Sequence, residues 1–182
     1  MRPNLEIGDI IFTQKKSGWI NKLVRKMSTM PNEKPAKVEH VALGIGPDSM
    51  LEASVKGIKI SYLSKYSKKK YNIKIARKVP LKNSSKFKIL ARANNMLNKD
   101  YGFLNIATHA LDWIGSHIVG KEIFFFRNRI KAKNYPICSW YVVWALKPIL
   151  PACFEQEIEY VQPEDINKYV NESEWLVLHN EL

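Results

Sequence analysis

The sequence predicts an α+β fold, an antiparallel sheet packed against several helices. Three observations predict it. Short segments within residues 1–80 place apolar side chains at every second position, the period of a half-buried strand. Between Ser84 and Pro148 the apolar spacing changes to that of helices. No internal repeat, low-complexity tract or long linker separates the two regions, and 182 residues suffice for one well-filled core. A single domain over residues 1–182 is the expectation.

Taken in order, Gly8-Asp9 makes a turn and Ile10-Ile11-Phe12-Thr13 continues as a strand. Trp19 to Met30 carries Ile20, Leu23, Val24 and Met27 at helical spacing, and Pro31 to Lys37 reads as a loop. His40–Gly46 and Met50–Val55 form a hairpin around Pro47-Asp48, and Ile58–Leu63 and Asn72–Val79 are further strands, with Lys68-Lys69-Lys70 in the loop between them. Ser84 or Ser85 caps a helix through Lys86 to Leu97, with Phe87, Leu90, Ala91 and Met96 as its apolar stripe. A second helix covers Leu104 to Val119. A third starts at Cys138 and ends before Pro148, and Glu174 to Leu178 reads as a closing strand.

Composition narrows the class. The chain is 46% hydrophobic and 11% aromatic, as globular proteins are. Two cysteines do not make a disulfide framework; a Cys138–Cys153 bridge and a reduced compartment are both compatible with them. The N-terminus has no apolar signal core, and Phe103 to Phe126 is interrupted by His109, Asp112, His117, Lys121 and Glu122, so a cytoplasmic protein without a spanning helix is expected. The net charge is +12, and residues 1–152 hold 28 of the 29 Lys+Arg but 9 of the 17 Asp+Glu, a net of about +19. Such a surface attracts anions, whether phospholipid headgroups, wall polymers or nucleic acid.

Cys138 carries the chemistry. It follows Tyr135-Pro136-Ile137 and begins an apolar helix, where the positive end of the helix dipole favours thiolate, the nucleophilic form. About a hundred residues earlier, His40 alternates with Val41, Leu43 and Ile45, and Glu52 alternates with Leu51, Ala53 and Val55. If both apolar sets face one core, His40 and Glu52 emerge together on the opposite face. The small Ala42 and Gly44 beside His40 leave room for a helix there, so the cysteine meets the imidazole while Glu52 orients it from behind. That is the nucleophile–base–orienter arrangement of thiol hydrolysis. Backbone N–H groups at the helix start, that of Cys138 included, suit an oxyanion hole.

Gly8-Asp9-Ile10-Ile11-Phe12 followed by His40-Val41-Ala42-Leu43-Gly44-Ile45-Gly46 resembles the core of the NlpC/P60 cysteine peptidases. In ordinary members the Cys-Ser nucleophile helix precedes those strands, whereas here Cys138-Ser139-Trp140-Tyr141-Val142 follows them. The order is similar to the circularly permuted, YaeF/YiiX-like branch of the papain fold. Leu51-Glu52-Ala53, Asp100-Tyr101-Gly102-Phe103 and Gln162-Pro163-Glu164-Asp165-Ile166 add to the likeness. The resemblance implies a circularly permuted papain-like sheet with the nucleophile helix late in the chain. It also implies Cys138 as nucleophile, His40 as base, Glu52 as third member, and no cofactor. Ser139, Trp140 and Tyr101 are the candidates for oxyanion hole and pocket. Trp140 stands where permuted members often carry glutamate, which reshapes the pocket.

Two weaker signals are set aside. His109 and His117 lie two helical turns apart, too far for one ion, so no metal site is expected among His109, Asp112, His117 and Glu122. Phe124-Phe125-Phe126, flanked by Lys121, Arg127 and Arg129, suits either a lipid interface or buried aromatic packing, and packing is the expectation. The expected activity is therefore that of a thiol hydrolase or acyltransferase. Its substrate is an amide, ester or thioester of a wall peptide or lipid, anionic in character, with peripheral membrane contact. The alternative is a degenerate basic module binding anionic membrane or nucleic acid, although no motif marks a specific nucleic-acid site.

Overall fold

The computed structural model describes residues 3–18, 22, 25, 36–54, 56–66, 68–100, 103–121, 123, 125, 137–150, 158 and 161–182, and of 103–110 the backbone alone. Among the described residues six strands form one antiparallel sheet: β1 (Ile10–Lys15), β2 (His40–Gly44), β3 (Ser49–Ser54), β4 (Gly57–Tyr62), β5 (Tyr71–Lys78) and β6 (Trp175–Asn180). Their spatial order is β4-β3-β2-β1-β5-β6. Four helices of the described residues accompany it: α1 (Asn83–Asn94), α2 (Phe103–Val119), α3 (Cys138–Leu146) and α4 (Pro163–Glu172). The expected α+β architecture is present, with the cysteine helix late in the chain. The Gln162–Ile166 segment, read only as a motif, opens α4.

Both faces of the sheet are covered, because β1 and β2 alternate apolar residues that are buried on either side. Phe12, Val41, Leu43, Leu51 and Ala53 pack with Ile89 and Ala93 of α1, Tyr141, Val142 and Leu146 of α3, and Ile166 and Val170 of α4. The other face is smaller: Ile11, Ala42, Met50, Ile73 and Ile75 meet Leu5, Leu63 and Tyr66. A 3-10 turn, Leu63–Lys65, brings Tyr66 over this second face.

Helix α1 differs from its expected cap and stripe. It starts at Asn83 with Lys82 as an N-cap that makes no side-chain hydrogen bond, so neither Ser84 nor Ser85 caps it. Its buried positions are Ile89 and Ala93, with Met96 buried just past its end, whereas Phe87 is 74% exposed. Contact with α3, whose Tyr141 hydroxyl donates to the Ala93 carbonyl at 3.3 Å, sets which side turns inward. The expected helix at Trp19–Met30 and the loop after it lie almost wholly outside the described residues.

The Gly8-Asp9 turn is a structural anchor. Asp9 is fully buried, and Arg77 of β5 grips it with Nε and Nη2, each at 2.8 Å. A second carboxylate oxygen bond comes from the Glu6 N–H at 2.7 Å. Gly44 lies against the same turn, where a Cβ would stand 2.7 Å from the Glu6 carbonyl oxygen. That close approach, not the reception of a helix, explains the glycine in the histidine strand.

Candidate active site

Helix α3 starts at Cys138 from an extended Ile137 (φ −90°, ψ 169°) and has no side-chain cap. The first-turn N–H groups are thus not taken by a capping side chain. The thiol stands in that place: its sulfur accepts the N–H of Ser139 from the helix and the N–H of Val41 from β2. Cys138 is a free cysteine and only 6% exposed. Cys153, with which a bridge is one of two readings compatible with the sequence, lies outside the described residues.

The contact with Val41 depends on an opening in the sheet. Gly44 donates its N–H to Asp9 ahead of β1, so along β2 the even-numbered N–H groups face β1 and the odd-numbered ones face β3. The β2–β3 ladder pairs Gly44 with Met50 and Leu43 with Leu51 and stops there. Val41 is therefore the next donor with no strand partner, and the sulfur takes it.

This corrects the expected approach of the helix. Helix α3 packs on the Val41–Leu43 face, not on the Ala42–Gly44 face that carries His40. Residues of α1, α3 and α4 cover the Val41–Leu43 face, while Ala42 is covered by the Tyr66 cluster. The sulfur reaches the imidazole at the parted end of β2 and β3.

His40 and Glu52 do share a face. His40 Nε2 lies 3.1 Å from Glu52 Oε2, and the imidazole also hydrogen-bonds the Cys138 thiol. With Nε2 on the carboxylate, Nδ1 is the nitrogen left for sulfur. Glu52 is 1% exposed and holds three further donors. Tyr66 Oη donates to Oε2 at 2.5 Å, and Ser61 Oγ and Lys65 Nζ each donate to Oε1 at 2.5 Å. Every lone pair of a buried carboxylate is thereby used, which is what keeps such a group ionised out of water.

The electrostatics follow from these contacts. Burial alone would lower the His40 pKa, but the Cys138 sulfur and Glu52 outweigh it and push it up to about 10. Burial would raise the Cys138 thiol; the charge and hydrogen bond of His40, with the Val41 and Ser139 N–H groups, instead pull it down. Glu52 is held well below the usual carboxylate range against its burial, chiefly by His40 and then by Lys65 and Ser61. Burial and the Glu52 charge push Tyr66 well above the usual phenol range. The arrangement favours thiolate beside imidazolium.

Sequence reasoning missed Ser61, Lys65 and Tyr66, the residues that hold Glu52. No motif marks them; only the pairing of β3 with β4 and the turn after Tyr62 bring them to the carboxylate. Of the remaining candidates, Ser139 turns its hydroxyl inward to the Val161 carbonyl at 2.6 Å, so only its backbone N–H serves the sulfur. Trp140 stacks on Trp144, with ring centroids 5.4 Å apart. Tyr101 lies outside the described residues. A cavity of about 350 Å³ opens on the Tyr66 side, lined by Thr13, Lys15, His40, Glu52, Lys65 and Tyr71 among others; neither Cys138 nor Trp140 is in that lining.

The weaker signals resolve in part. His117 Nδ1 donates to the Trp113 carbonyl at 3.0 Å and Asp112 is buried, while Glu122 and the side chain of His109 are outside the described residues. Among the described residues no group of three or more His, Cys, Asp or Glu is placed to hold a metal. Phe125 is 55% exposed, against the expected burial, because Ile123 and not Phe125 turns against Gly115 of α2; Phe124 and Phe126 are outside the described residues. No helix of the described residues is long and apolar enough to cross a membrane.

Residues 4–110 match the family described as permuted papain-like amidase enzyme, YaeF/YiiX. The matched span contains the strands of His40 and Glu52 and ends before the helix of Cys138. No curated protein and no solved structure matches the chain.

Proposed function

Because the chain belongs to the YaeF/YiiX family of permuted papain-like amidases, we propose that Cys138, His40 and Glu52 act as nucleophile, base and orienter in the cleavage of an amide. The observation that carries this reading is the single imidazole hydrogen-bonded on one side to Glu52 and on the other to a thiol at a helix N-terminus. Opposed shifts of the two groups, His40 upward and Cys138 downward, support it.

In this mechanism the Cys138 thiolate attacks the carbonyl carbon and a C–S bond forms. The resulting oxyanion takes the backbone N–H of Cys138, one of the donors a helix leaves unpaired in its first turn. His40 passes its proton to the leaving amine as the C–N bond breaks, giving an acyl-enzyme and a free amine. Water then attacks the thioester, His40 takes its proton, and carboxylate and thiol are released. Glu52 stays ionised throughout and holds the ring in one orientation.

The acyl donor is proposed to be a wall peptide or lipid-linked amide with anionic groups, which the positive charge of residues 1–152 would attract. Alkylation of Cys138 by iodoacetamide, followed across pH, tests the triad. A midpoint well below about 8.5, the value for a free thiol, is the expected result. An ordinary thiol profile that His40→Ala leaves unchanged would overturn it. Peptide amides, acyl-lysines and phospholipids, with Cys138→Ala as control, then separate the substrate classes.

A further inference from the structure

Val161 and Glu164 stand close together in the chain, and each holds one side of the Cys138–His40 pair. The Val161 carbonyl accepts Ser139 Oγ at 2.6 Å, next to the sulfur-bearing residue. Glu164 Oε2 accepts the N–H of Lys37 at 2.7 Å and of Val38 at 3.1 Å, just ahead of His40. Glu164 Oε1 takes Asn167 Nδ2 at 3.0 Å, and Asn167 Oδ1 in turn accepts from the buried Lys74 of β5 at 2.8 Å.

The segment between the two arms is stiff. Pro163 opens α4, and Gln162 and Asp165 form a reciprocal capping box, with the Gln162 N–H donating to Asp165 Oδ2 at 2.8 Å. Ser139, Glu164 and Asn167 are all buried, so these bonds face little competition from water. A buried carboxylate held by two backbone N–H groups and a side-chain amide is costly to keep for packing alone.

We propose that Val161–Asp165 is a clip that sets the spacing between Cys138 and His40, with Glu164 as its positioning residue. The two reacting groups lie about a hundred residues apart in sequence and on different elements. Their attraction weakens with distance, and a displacement of ~1 Å in such a site costs about a hundredfold in rate. One short rigid segment bonded to both removes that freedom. The proposal rests on the thiolate–imidazolium reading above, which the same experiment tests separately.

The test compares the pH profile of Cys138 alkylation in wild type, Glu164→Ala, Glu164→Gln and Ser139→Ala, each confirmed folded by circular dichroism. Wild type reports on the triad: an ordinary thiol midpoint there overturns the ion pair, and the clip with it. Given a depressed wild-type midpoint, Glu164→Ala is expected to raise it by about one pH unit, roughly a tenfold loss of alkylation rate at pH 6. Ser139→Ala is expected to raise it in the same direction. Glu164→Gln keeps an oxygen for the Lys37 and Val38 N–H groups and is expected to retain the wild-type midpoint. A midpoint that stays depressed in folded Glu164→Ala overturns the clip while leaving the triad standing. If that variant does not fold, an unmoved midpoint in Ser139→Ala overturns it instead.

Discussion

Tyr66 and His40 meet on one oxygen: the phenol donates to Glu52 Oε2 at 2.5 Å, and the imidazole Nε2 lies 3.1 Å from the same atom. The imidazole is thus positioned by a carboxylate that is itself positioned, with Ser61 and Lys65 holding the other oxygen. Removing the phenol leaves one acceptor of a buried anion short of a partner. Tyr66→Phe is expected to lower the unfolding free energy by about 1–3 kcal/mol at neutral pH. Denaturant titration measures it, and an unchanged midpoint would refute the claim that this hydrogen bond matters.

Glu52→Gln keeps the shape of the side chain and removes its charge. Turnover of any amide substrate is expected to fall about a hundredfold or more, because the imidazole loses both its fixed orientation and the anion opposite its proton. The stability effect has a defined pH window. A carboxyl held below its ordinary pKa stabilises the fold above that ordinary value, and the contribution is lost as pH falls through the depressed one. The deficit of Glu52→Gln should therefore be largest near pH 7 and narrow steadily as pH falls below about 4.5, the ordinary value. A deficit of constant size across that range would contradict it.

His40 should keep its proton well above neutrality. With its pKa pushed up to about 10, the ring contributes stability in full below about 6.5, its ordinary value, and loses that contribution as pH rises through about 10. Ring ¹⁵N chemical shifts at pH 8 should be those of a doubly protonated imidazole, and in Cys138→Ala the titration should move downward. A wild-type ring that titrates near 6.5 would rule out the ion pair.

Arg77→Ala separates scaffold from chemistry. It leaves Asp9, fully buried, without its two-pronged partner, and removing one member of such a pair costs on the order of 3–5 kcal/mol. Thermal or denaturant unfolding should show a loss of that order. The alkylation profile of Cys138 should keep its wild-type shape wherever the variant is folded, since Arg77 touches the Gly8-Asp9 turn and not the thiol. A raised thiol midpoint would place the anchor inside the active site.

Much of this molecule is legible in the chain as written. Strand alternation puts His40 and Glu52 on one face, and a cysteine after Pro136-Ile137 announces the start of an apolar helix; both are local, because the period of a strand and the polarity of a helix end follow from a few neighbouring residues. The error over which face α3 covers arose because β2 is apolar on both sides, and alternation does not rank two buried faces.

The donors to Cys138 and Glu52 belong to a different order of information. Val41 gives its N–H to sulfur only because the β2–β3 ladder stops at Leu43 and Leu51, and Ser61, Lys65 and Tyr66 converge only once β4 and the turn after it fold over β3. Neither event leaves a mark in residue type. Where a ladder ends and which hydroxyls surround a buried carboxylate depend on packing between distant segments. The residues able to do the chemistry are written along the chain; whether the thiol is ionised is decided by the backbone N–H groups and charges that folding brings around it.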